Sequence, residues 1–386
     1  MFCYGKDIHI LRFHVSRFTI YSILCLIYYQ AMQKKSIFAA RIRKTNIYMA
    51  SPVALFVYNR ADNTRKTLQA LMANTLAPET ELYVFSDGGK DEASWQTVRE
   101  VRALLHEIEA EVGRTRTLKS MTIVERPVNY YLERNIIEGI NQVFEQHDTI
   151  IVLEDDIVTS PHFLQFMNDA FHIYKGDQRV MHVGGFTRID SPPVLPLSEE
   201  AVTSREERIQ KPQGRAGRES FYFTPFMSGW GWGTWRDRWN GHFLHFQSRD
   251  EALEGVPAEV LTQIEYEGVF PCLKDLNRRP IPWDICWGLA IRKAGGLCLY
   301  PSRTLVRNIG LDGGTHYGRL PRWITRLIQR YEYDRQPYDG PIEVSTQEPA
   351  INPIIEAQMK AALTDWGIRY TWIGKIIRKI YKLIKG

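Results

Sequence analysis

The sequence predicts an α/β protein with a mostly parallel central sheet flanked by helices on both faces. Between residues 52 and 154, apolar runs of strand length alternate four times with stretches of helical pattern. This alternation is typical of parallel strands joined by crossover helices. The fourth run, Ile150–Leu153, ends directly in Glu154, Asp155 and Asp156. Because open α/β sheets bind ligands at the carboxyl ends of their strands, these carboxylates mark the candidate site.

The individual elements follow in order from Pro52. A buried strand at Val53–Tyr58 ends at Arg60, and we expect Asp62 or Asn63 to cap the helix that follows. The long helix after the second strand is amphipathic, with its aliphatic residues on one face. The remaining predicted strands and helices are Leu82–Phe85, Asp91–Val112, Met121–Val124, Glu133–Phe144, Ile150–Leu153, Phe163–Tyr174, Val180–Gly185, Ile285–Lys293 and Leu297–Tyr300.

Composition limits the class of protein. The 386 residues are 44% hydrophobic and 24% charged, as in soluble globular proteins, and they suffice for one large or two ordinary domains. The five cysteines are odd in number and include no CxxC pair. We therefore expect neither a disulfide framework nor a zinc site, and the cysteine usage favours a reducing compartment.

The net charge of +5 is distributed unevenly along the chain. Residues 1–48 carry +7 and residues 372–386 carry +5, so the part between them is acidic, at −7. Nucleic-acid binding requires basic charge on the folded body, so we expect no nucleic-acid partner.

Stretches near both ends of the sequence combine apolar and basic residues, a pattern that suggests membrane association. Residues 1–48 contain an apolar stretch too short for a membrane span, and a signal anchor is one interpretation. We favour Met49 as the true start, so that residues 1–48 result from a mis-assigned start or form a disordered leader. Residues 371–386 place isoleucines on one helical face and basic residues mostly on the other, which favours an in-plane anchor on an anionic membrane. Docking of that face on the protein itself is the alternative. We expect a cytoplasmic protein, peripheral on the inner face of the membrane.

The acidic cluster has two readings. Adjacent carboxylates raise each other's pKa unless a cation or a donor lies among them. Hard oxygen ligands of this kind suit Mg²⁺ or Mn²⁺ held jointly with substrate phosphates. The alternative is a solvated acidic turn that caps the helix after Pro161.

Two later stretches have a structural and a functional reading each. Phe221–Trp239 contains four tryptophans and three glycines. In the structural interpretation, these residues fill the core under a strand bent by its glycines. In the functional interpretation, Gly231 lets the backbone approach a ligand, and Trp230 and Trp232 present flat faces to a sugar. Both interpretations can hold at once. Asp284 precedes a helix and is either its N-cap or a functional carboxylate.

Residues 190–220 change character, with three prolines followed by a polar, arginine-rich run. The simplest reading is a mobile surface loop. The alternative is a lid that orders on binding and brings its basic residues to phosphates.

Taken together, the motifs resemble the GT-A glycosyltransferases. More closely, they resemble the inverting N-acetylglucosaminyltransferases that begin complex N-glycan branching, and their bacterial relatives. The resemblance covers about residues 52–318 and depends on the order and spacing of its motifs. These are VYNR at 57–60, SDGG at 86–89, VLEDDIVTSPHFLQF at 152–166, YFTPFMSGWGW at 222–232, PWD at 282–284 and RNIGLDGGTH at 307–316.

The resemblance implies a donor site at the strand ends. Asp156, the last residue of a DxD-like motif, matches the ligand of a Mn²⁺ or Mg²⁺ ion that bridges the nucleotide diphosphate. Glu154 and Asp155 match groups that face the nucleotide and the donor sugar. Asp87 matches the residue that reads the base, and Arg60 matches a basic residue of the nucleotide pocket.

It also implies a catalytic base and a phosphate-binding loop. Asp284 lies where the family keeps its base, although the family has two adjacent aspartates there and this chain has Asp284 followed by Ile285. The C-terminal loop closes over donor phosphates in the family, which suits Arg307 or His316 as a phosphate or metal contact.

These expectations describe a metal-dependent inverting hexosyl- or N-acetylhexosaminyltransferase. It would move a sugar from a nucleotide sugar, expected to be a UDP-sugar, to a hydroxyl of a glycan or lipid-linked acceptor. The metal would stabilise the leaving diphosphate, and Asp284 would take the acceptor proton from the opposite face. The alternatives are a sugar nucleotidyltransferase, a non-catalytic glycan-binding relative and a metal-dependent phosphohydrolase.

Overall fold

The computed structural model describes residues 49–189, 220–310 and 335–364. The predicted leader at 1–48, all but the last residue of the predicted loop at 190–220, His316 and the tail at 371–386 lie outside these described residues.

Ten strands and nine α-helical segments carry the described part of the fold. The strands are β1 (Val53–Val57), β2 (Glu81–Ser86), β3 (Ser120–Glu125), β4 (Thr149–Glu154), β5 (Ile157–Thr159), β6 (Val180–Gly184), β7 (Phe221–Thr224), β8 (Trp232–Trp235), β9 (Leu297–Pro301) and β10 (Val306–Asn308). The helices are α1 (Ala61–Met72), α2 (Glu92–Thr115), α3 (Tyr131–Phe144), α4 (Phe163–Tyr174), α5 (Arg236–His242), α6 (Arg249–Leu253), α7 (Ala258–Ile264) and α8 (Trp283–Lys293). Residues 353–364 are also helical.

The central sheet has eight strands in the order β3-β2-β1-β4-β8-β6-β9-β7. The first four run parallel, as the strand–helix alternation predicts. In the second half only β6 and β9 are parallel, because β8 runs antiparallel to both of its neighbours and β7 runs antiparallel to β9. The predicted α/β fold class is therefore confirmed, with four parallel pairs among seven and a mixed second half.

Alternation along β1 divides the core into two layers. Val53, Leu55 and Val57 face one cluster with α1, α2 and α4, whereas Ala54 and Phe56 face the other with α3 and α8. This alternation is the period of two that a strand buried on both faces requires. The helices therefore cover both faces of the sheet, and the carboxyl edge of its parallel half is left for a site.

Two helix starts differ from the predicted caps. Helix α1 begins at Ala61, so Arg60 is its N-cap residue without a side-chain cap, and Asp62 falls in the first turn. The predicted cap at Asp62 or Asn63 is therefore wrong, because the helix begins earlier than the polar pair suggests. Helix α8 has Pro282 as its N-cap residue, and Asp284 lies in its first turn. The N-cap reading of Asp284 is likewise wrong.

No helix in the described parts of the chain has the length and apolar character needed to cross a membrane.

Candidate active site

The register of the parallel strands gathers the predicted donor-site residues at one edge of the sheet. Val57 of β1 pairs with Ser86 of β2, and Phe56 pairs with Glu154 of β4. The residues that follow these strands, among them Arg60, Asp87 and Asp155, therefore leave the sheet side by side.

Arg60 joins the acidic cluster. Its Nη2 donates to a carboxylate oxygen of Asp155 and, at 2.9 Å, to Asp156 Oδ2, while its Nε lies 3.3 Å from the second oxygen of Asp155. The Asp155 side chain is 4% exposed and the Asp156 side chain is 12% exposed. A charge-assisted pair of this geometry is far stronger than an exposed salt bridge, so it fixes the first loop against the end of β4. The sequence predicted the members of this cluster and the structure brings them together.

The acidic cluster contains more carboxylates than the one arginine can neutralise. Burial, together with Asp156 and Asp155, raises the pKa of Glu154 to about 8. Burial also raises the pKa of Asp155 to about 6, although Arg60 opposes the rise. One guanidinium therefore does not neutralise three carboxylates, and a divalent cation fits this deficit. Within the described ranges, however, no group of three or more His, Cys, Asp or Glu side chains is arranged to hold a metal ion.

The start of the predicted C-terminal loop lies against Asp156. Strand β10 pairs antiparallel with β5, which follows the acidic cluster directly. The Ile309 N–H donates to the Asp156 carbonyl at 2.8 Å, and Arg60 Nη1 lies 3.5 Å from the Gly310 carbonyl oxygen. A Cβ on Gly310 would lie 1.9 Å from Asp156 Oδ2, so only glycine allows this approach. Arg307 is half-buried on β10, opposite Val158.

Asp87 holds two loops together. Its Oδ1 accepts from the N–H groups of Gly88 and Tyr130 at 2.8 and 2.7 Å, and its Oδ2 accepts from Asn129 Nδ2 at 3.2 Å. The residue is 5% exposed, and burial raises its pKa. Asp87 thus has a structural task at the position where the family resemblance expects a base-reading group.

Three side chains beside Asp87 were missed by sequence reasoning. Lys90 Nζ lies 5.7 Å from the ring centroid of Tyr58 and 5.3 Å from that of Tyr131. Tyr131 is 59% exposed and has a φ of 60°, which is strained for an aromatic residue. In the sequence, Tyr58, Lys90 and Tyr131 lie shortly after β1, β2 and β3, and this placement is the signal that could have identified them. Together they add a cation and two flat faces to the edge of the sheet.

The tryptophan-rich stretch is mainly core. Trp232 is fully buried and stacks between His182 and Trp283, at centroid distances of 5.3 and 5.2 Å. The reading that Trp232 presents a face to a sugar is therefore wrong, because no face is left exposed. Trp230 is half-buried with its ring 4.6 Å from that of Phe186.

Gly231 supports the acidic cluster through packing. It is buried and has a φ of 59°, and a Cβ there would lie 2.8 Å from Val306 Cγ1. Its carbonyl accepts from the Gly185 N–H at 2.7 Å. Glycine at this position is explained by backbone conformation and by the close approach of β10.

Asp284 lies apart from the acidic cluster but within its electrostatic reach. It is exposed in the first turn of α8, and its Oδ1 accepts from the Ile285 N–H at 2.9 Å. After burial and the two adjacent aspartates, it adds to the rise in the pKa of Glu154. Asp284 also lines a largely apolar groove with Gly229 and Gly288.

Comparisons with known proteins give a family match and distant similarities to solved structures. Residues 51–240, a little under half of the chain, match the profile of a family described as glycosyltransferase like family 2. No curated protein matches this chain.

Both solved structures are remote from this chain. S. aureus TarS 1–349 in complex with UDP-GlcNAc is 14% identical over 35% of this chain and 34% of that one, with a TM-score of 0.25. The chain thus spans about a third of the TarS fragment. The mannosyltransferase PcManGT from Pyrobaculum calidifontis, in complex with GDP-Man and Mn²⁺, is 12% identical over 91% and 97% of the two chains, with a TM-score of 0.32. Neither similarity supports an argument about substrate.

The family match spans strands β1 to β4, the acidic cluster and β8. The narrower resemblance to the N-acetylglucosaminyltransferases of N-glycan branching stays a prediction. Residues 51–240 are similar to the glycosyltransferase like family 2 domain, and the mixed α/β sheet flanked by helices is consistent with a GT-A fold.

Proposed function

We propose that this protein is a metal-dependent inverting glycosyltransferase that uses a nucleotide sugar. The observation that carries the proposal is the group of three carboxylates at the end of β4: Asp155 and Asp156 accept from Arg60, and burial raises the pKa of Glu154 and of Asp155. A site with this charge deficit favours a divalent cation together with the phosphates that the cation brings. The similarity of residues 51–240 to glycosyltransferase like family 2 supports this reaction class.

The donor would lie across the ends of β1, β2 and β4. Asp156 would hold Mn²⁺ or Mg²⁺, with His316 as a further ligand, and the cation would neutralise charge on the departing diphosphate. Arg60 and Arg307 would contact the phosphates, since guanidinium groups match their geometry. Asp87, Lys90 and Tyr131 would surround the base of a UDP-sugar, and Glu154, Asp155 and Trp230 would face the sugar.

Asp284 would act as the catalytic base. An acceptor hydroxyl has a pKa far above neutrality, so a carboxylate must accept its proton as the oxygen attacks the anomeric carbon. The bond from that carbon to the diphosphate breaks at the same time, and attack from the side opposite the leaving group inverts the anomeric configuration. Asp284 suits this role because it is exposed and lies on a different element from Asp156.

The acceptor is proposed to be a glycan or a lipid-linked sugar at the inner face of the membrane. Support for this location comes from residues 371–386, whose pattern fits an in-plane anchor on anionic lipid. The transferred group would be a hexosyl or an N-acetylhexosaminyl unit.

Thermal unfolding with nucleotides tests the donor site. We would measure the wild type and Asp156→Ala with nucleoside diphosphates and nucleotide sugars, with and without Mn²⁺. One nucleotide should stabilise the wild type by about 2.7 kcal/mol at a hundredfold excess over Kd, and only when Mn²⁺ is present. The shift should vanish in Asp156→Ala and persist in Asp339→Ala, a control at an exposed aspartate.

Absence of a shift with every nucleotide would reject the proposal and favour a glycan-binding relative. Release of pyrophosphate from a nucleoside triphosphate would instead identify a nucleotidyltransferase.

A further inference from the structure

A groove opens beside Asp284, and its described walls are apolar except for two charged residues. Helix α8 supplies one wall with Asp284, Gly288 and Arg292, which lie four residues apart and therefore on one side of the helix. At 1.5 Å per residue, Gly288 is about 6 Å and Arg292 about 12 Å along the axis from Asp284. Met227 and Phe270, both half-buried, contribute to the rest of the wall.

Gly288 is not explained by packing. A helix with an internal glycine is less stable than the same helix with alanine there, so an internal glycine requires a steric or conformational reason. A Cβ at Gly288 would meet only one atom within 4 Å, Met227 Cβ at an ordinary 3.8 Å. In α3, by contrast, a Cβ on Gly139 would lie 2.5 Å from the Phe56 ring. Gly288 also has no positive φ. A side chain at Gly288 would therefore project into the groove, and glycine keeps the groove open.

The walls around Gly288 disfavour a hydrated glycan. Sugar hydroxyls placed against Met227, Ile285 and Leu289 would lose hydrogen bonds to water and gain none from these side chains. An apolar group in the same place would gain free energy from burial. At the far end, Arg292 lies with its guanidinium 5.5 Å from the ring centroid of Tyr266.

We infer that this groove binds the apolar aglycone of a glycoside acceptor. The sugar hydroxyl of the acceptor lies at Asp284, and the aglycone extends over Gly288 between Met227 and Phe270. The inference rests on the proposed function, because it takes Asp284 as the base, and it narrows the acceptor to a glycoside with an apolar aglycone.

Calorimetric titration with methyl, butyl and octyl glucosides, all below their micellar concentrations, tests the inference. Kd for the wild type should fall by up to about fourfold for each methylene group that the groove buries. Gly288→Leu fills the groove and should remove this dependence on chain length. Gly288→Ala, which favours the helix and whose Cβ fits, should weaken the dependence without harming the fold.

The matched control is Gly113→Leu, at an exposed glycine of α2 with nothing near its Cβ. It should keep the full dependence on chain length, which separates the groove from general detergent binding. Equal Kd values across the glucosides for the wild type would overturn the inference, as would an unchanged dependence in Gly288→Leu and Gly288→Ala.

The donor is measured separately, by nucleotide-induced stabilisation of the wild type. A chain-length dependence without any nucleotide shift would reject the transferase and its acceptor, while leaving an apolar ligand site. A nucleotide shift without a chain-length dependence would reject the apolar acceptor alone.

Discussion

At the scale of single residues, Gly310 ties the candidate site to a distant part of the chain. Its carbonyl oxygen is 3.5 Å from Arg60 Nη1, and its missing side chain leaves room for the Asp156 carboxylate. Gly310 lies in the RNIGLDGGTH motif, but the reason for glycine there is not local, because its constraint comes from a residue more than 150 positions earlier.

Gly310→Ala should displace the Asp156 carboxylate and lower kcat/KM by about tenfold to 100-fold. The Mn²⁺-dependent nucleotide shift should shrink in parallel. Gly176→Ala is the control, since a Cβ there has no neighbour within 4 Å. Full activity of Gly310→Ala would show that the position of this carboxylate is unimportant.

His182 should make stability depend on pH. It is fully buried, its Nδ1 accepts from Trp287 Nε1 at 3.3 Å, and burial lowers its pKa to about 3. The unfolded chain gains this proton near pH 6.5 and the native state does not, so stability falls as pH decreases below 6.5. Its ring neighbours Trp232 and Tyr300 do not titrate in this range.

Between pH 7 and pH 5 this residue should cost about 2 kcal/mol of unfolding free energy. His182→Gln keeps an acceptor for Trp287 and does not titrate, so its denaturant-derived stability should lose correspondingly less over that interval. Parallel pH profiles for the two proteins would contradict the prediction.

At the scale of elements, Arg238 secures the end of α4. Its Nη2 donates to the carbonyl oxygens of Tyr174, Lys175 and Asp177 at 3.3, 2.7 and 3.2 Å. Its guanidinium also lies 4.6 Å from the Trp235 ring centroid. A cation that donates to carbonyl oxygens at this end also interacts favourably with the helix dipole.

Arg238→Met should lower the unfolding free energy by about 2 kcal/mol or more, because it removes the hydrogen bonds that a buried, charged guanidinium donates to three carbonyl oxygens. Arg236→Met, which removes a largely exposed arginine paired with Asp148, should cost less than about 1 kcal/mol. Urea unfolding of both variants checks this difference, and equal losses would argue against the capping role.

Helix α2 offers a stabilising change. Gly113 is exposed within the helix, and a Cβ there would meet nothing within 4 Å. Gly113→Ala should raise the unfolding free energy by about 0.5–1 kcal/mol, since alanine lowers the entropy of the unfolded chain and favours the helix. A neutral or destabilising result in urea unfolding would count against this reading of the helix.

The strands and helices differ in how well they could be predicted from the sequence. The parallel half and its helices were predicted within a few residues, because each strand and helix has its own apolar period. The antiparallel insertion of β8 was not predicted. It depends on Gly233, where a Cβ would lie 2.3 Å from the Ile150 carbonyl oxygen, and local periodicity does not report such long-range pairing.

The residues of the candidate site likewise divide into those that the sequence predicted and those that it did not. Arg60, Asp155 and Asp156 were predicted because each follows a recognisable strand and has a chemically distinctive side chain. Asn129 and Lys90 were missed because their contacts join loops whose pairing is visible only in three dimensions.

At the scale of the whole molecule, charge is segregated along the chain. Residues 372–386 carry +5, whereas the chain between residues 48 and 372 carries −7. Deleting residues 372–386 should therefore release the protein from vesicles containing anionic phosphatidylserine without abolishing donor hydrolysis. Cosedimentation measures the release, with neutral phosphatidylcholine vesicles as the control. Unchanged sedimentation with anionic vesicles would reject the anchor.

The pairing of β10 with β5 sets an order of assembly during synthesis. Strands β1 to β4 and their helices are complete once residue 154 has left the ribosome, whereas the backbone that covers Asp156 comes from Ile309 and Gly310. Since chains fold progressively from their N-terminus, the sheet can form while the acidic cluster still lacks its cover. A nascent chain that ends between residues 156 and 309 therefore contains the carboxylates but not their complete cover, so the acidic cluster is completed late in translation.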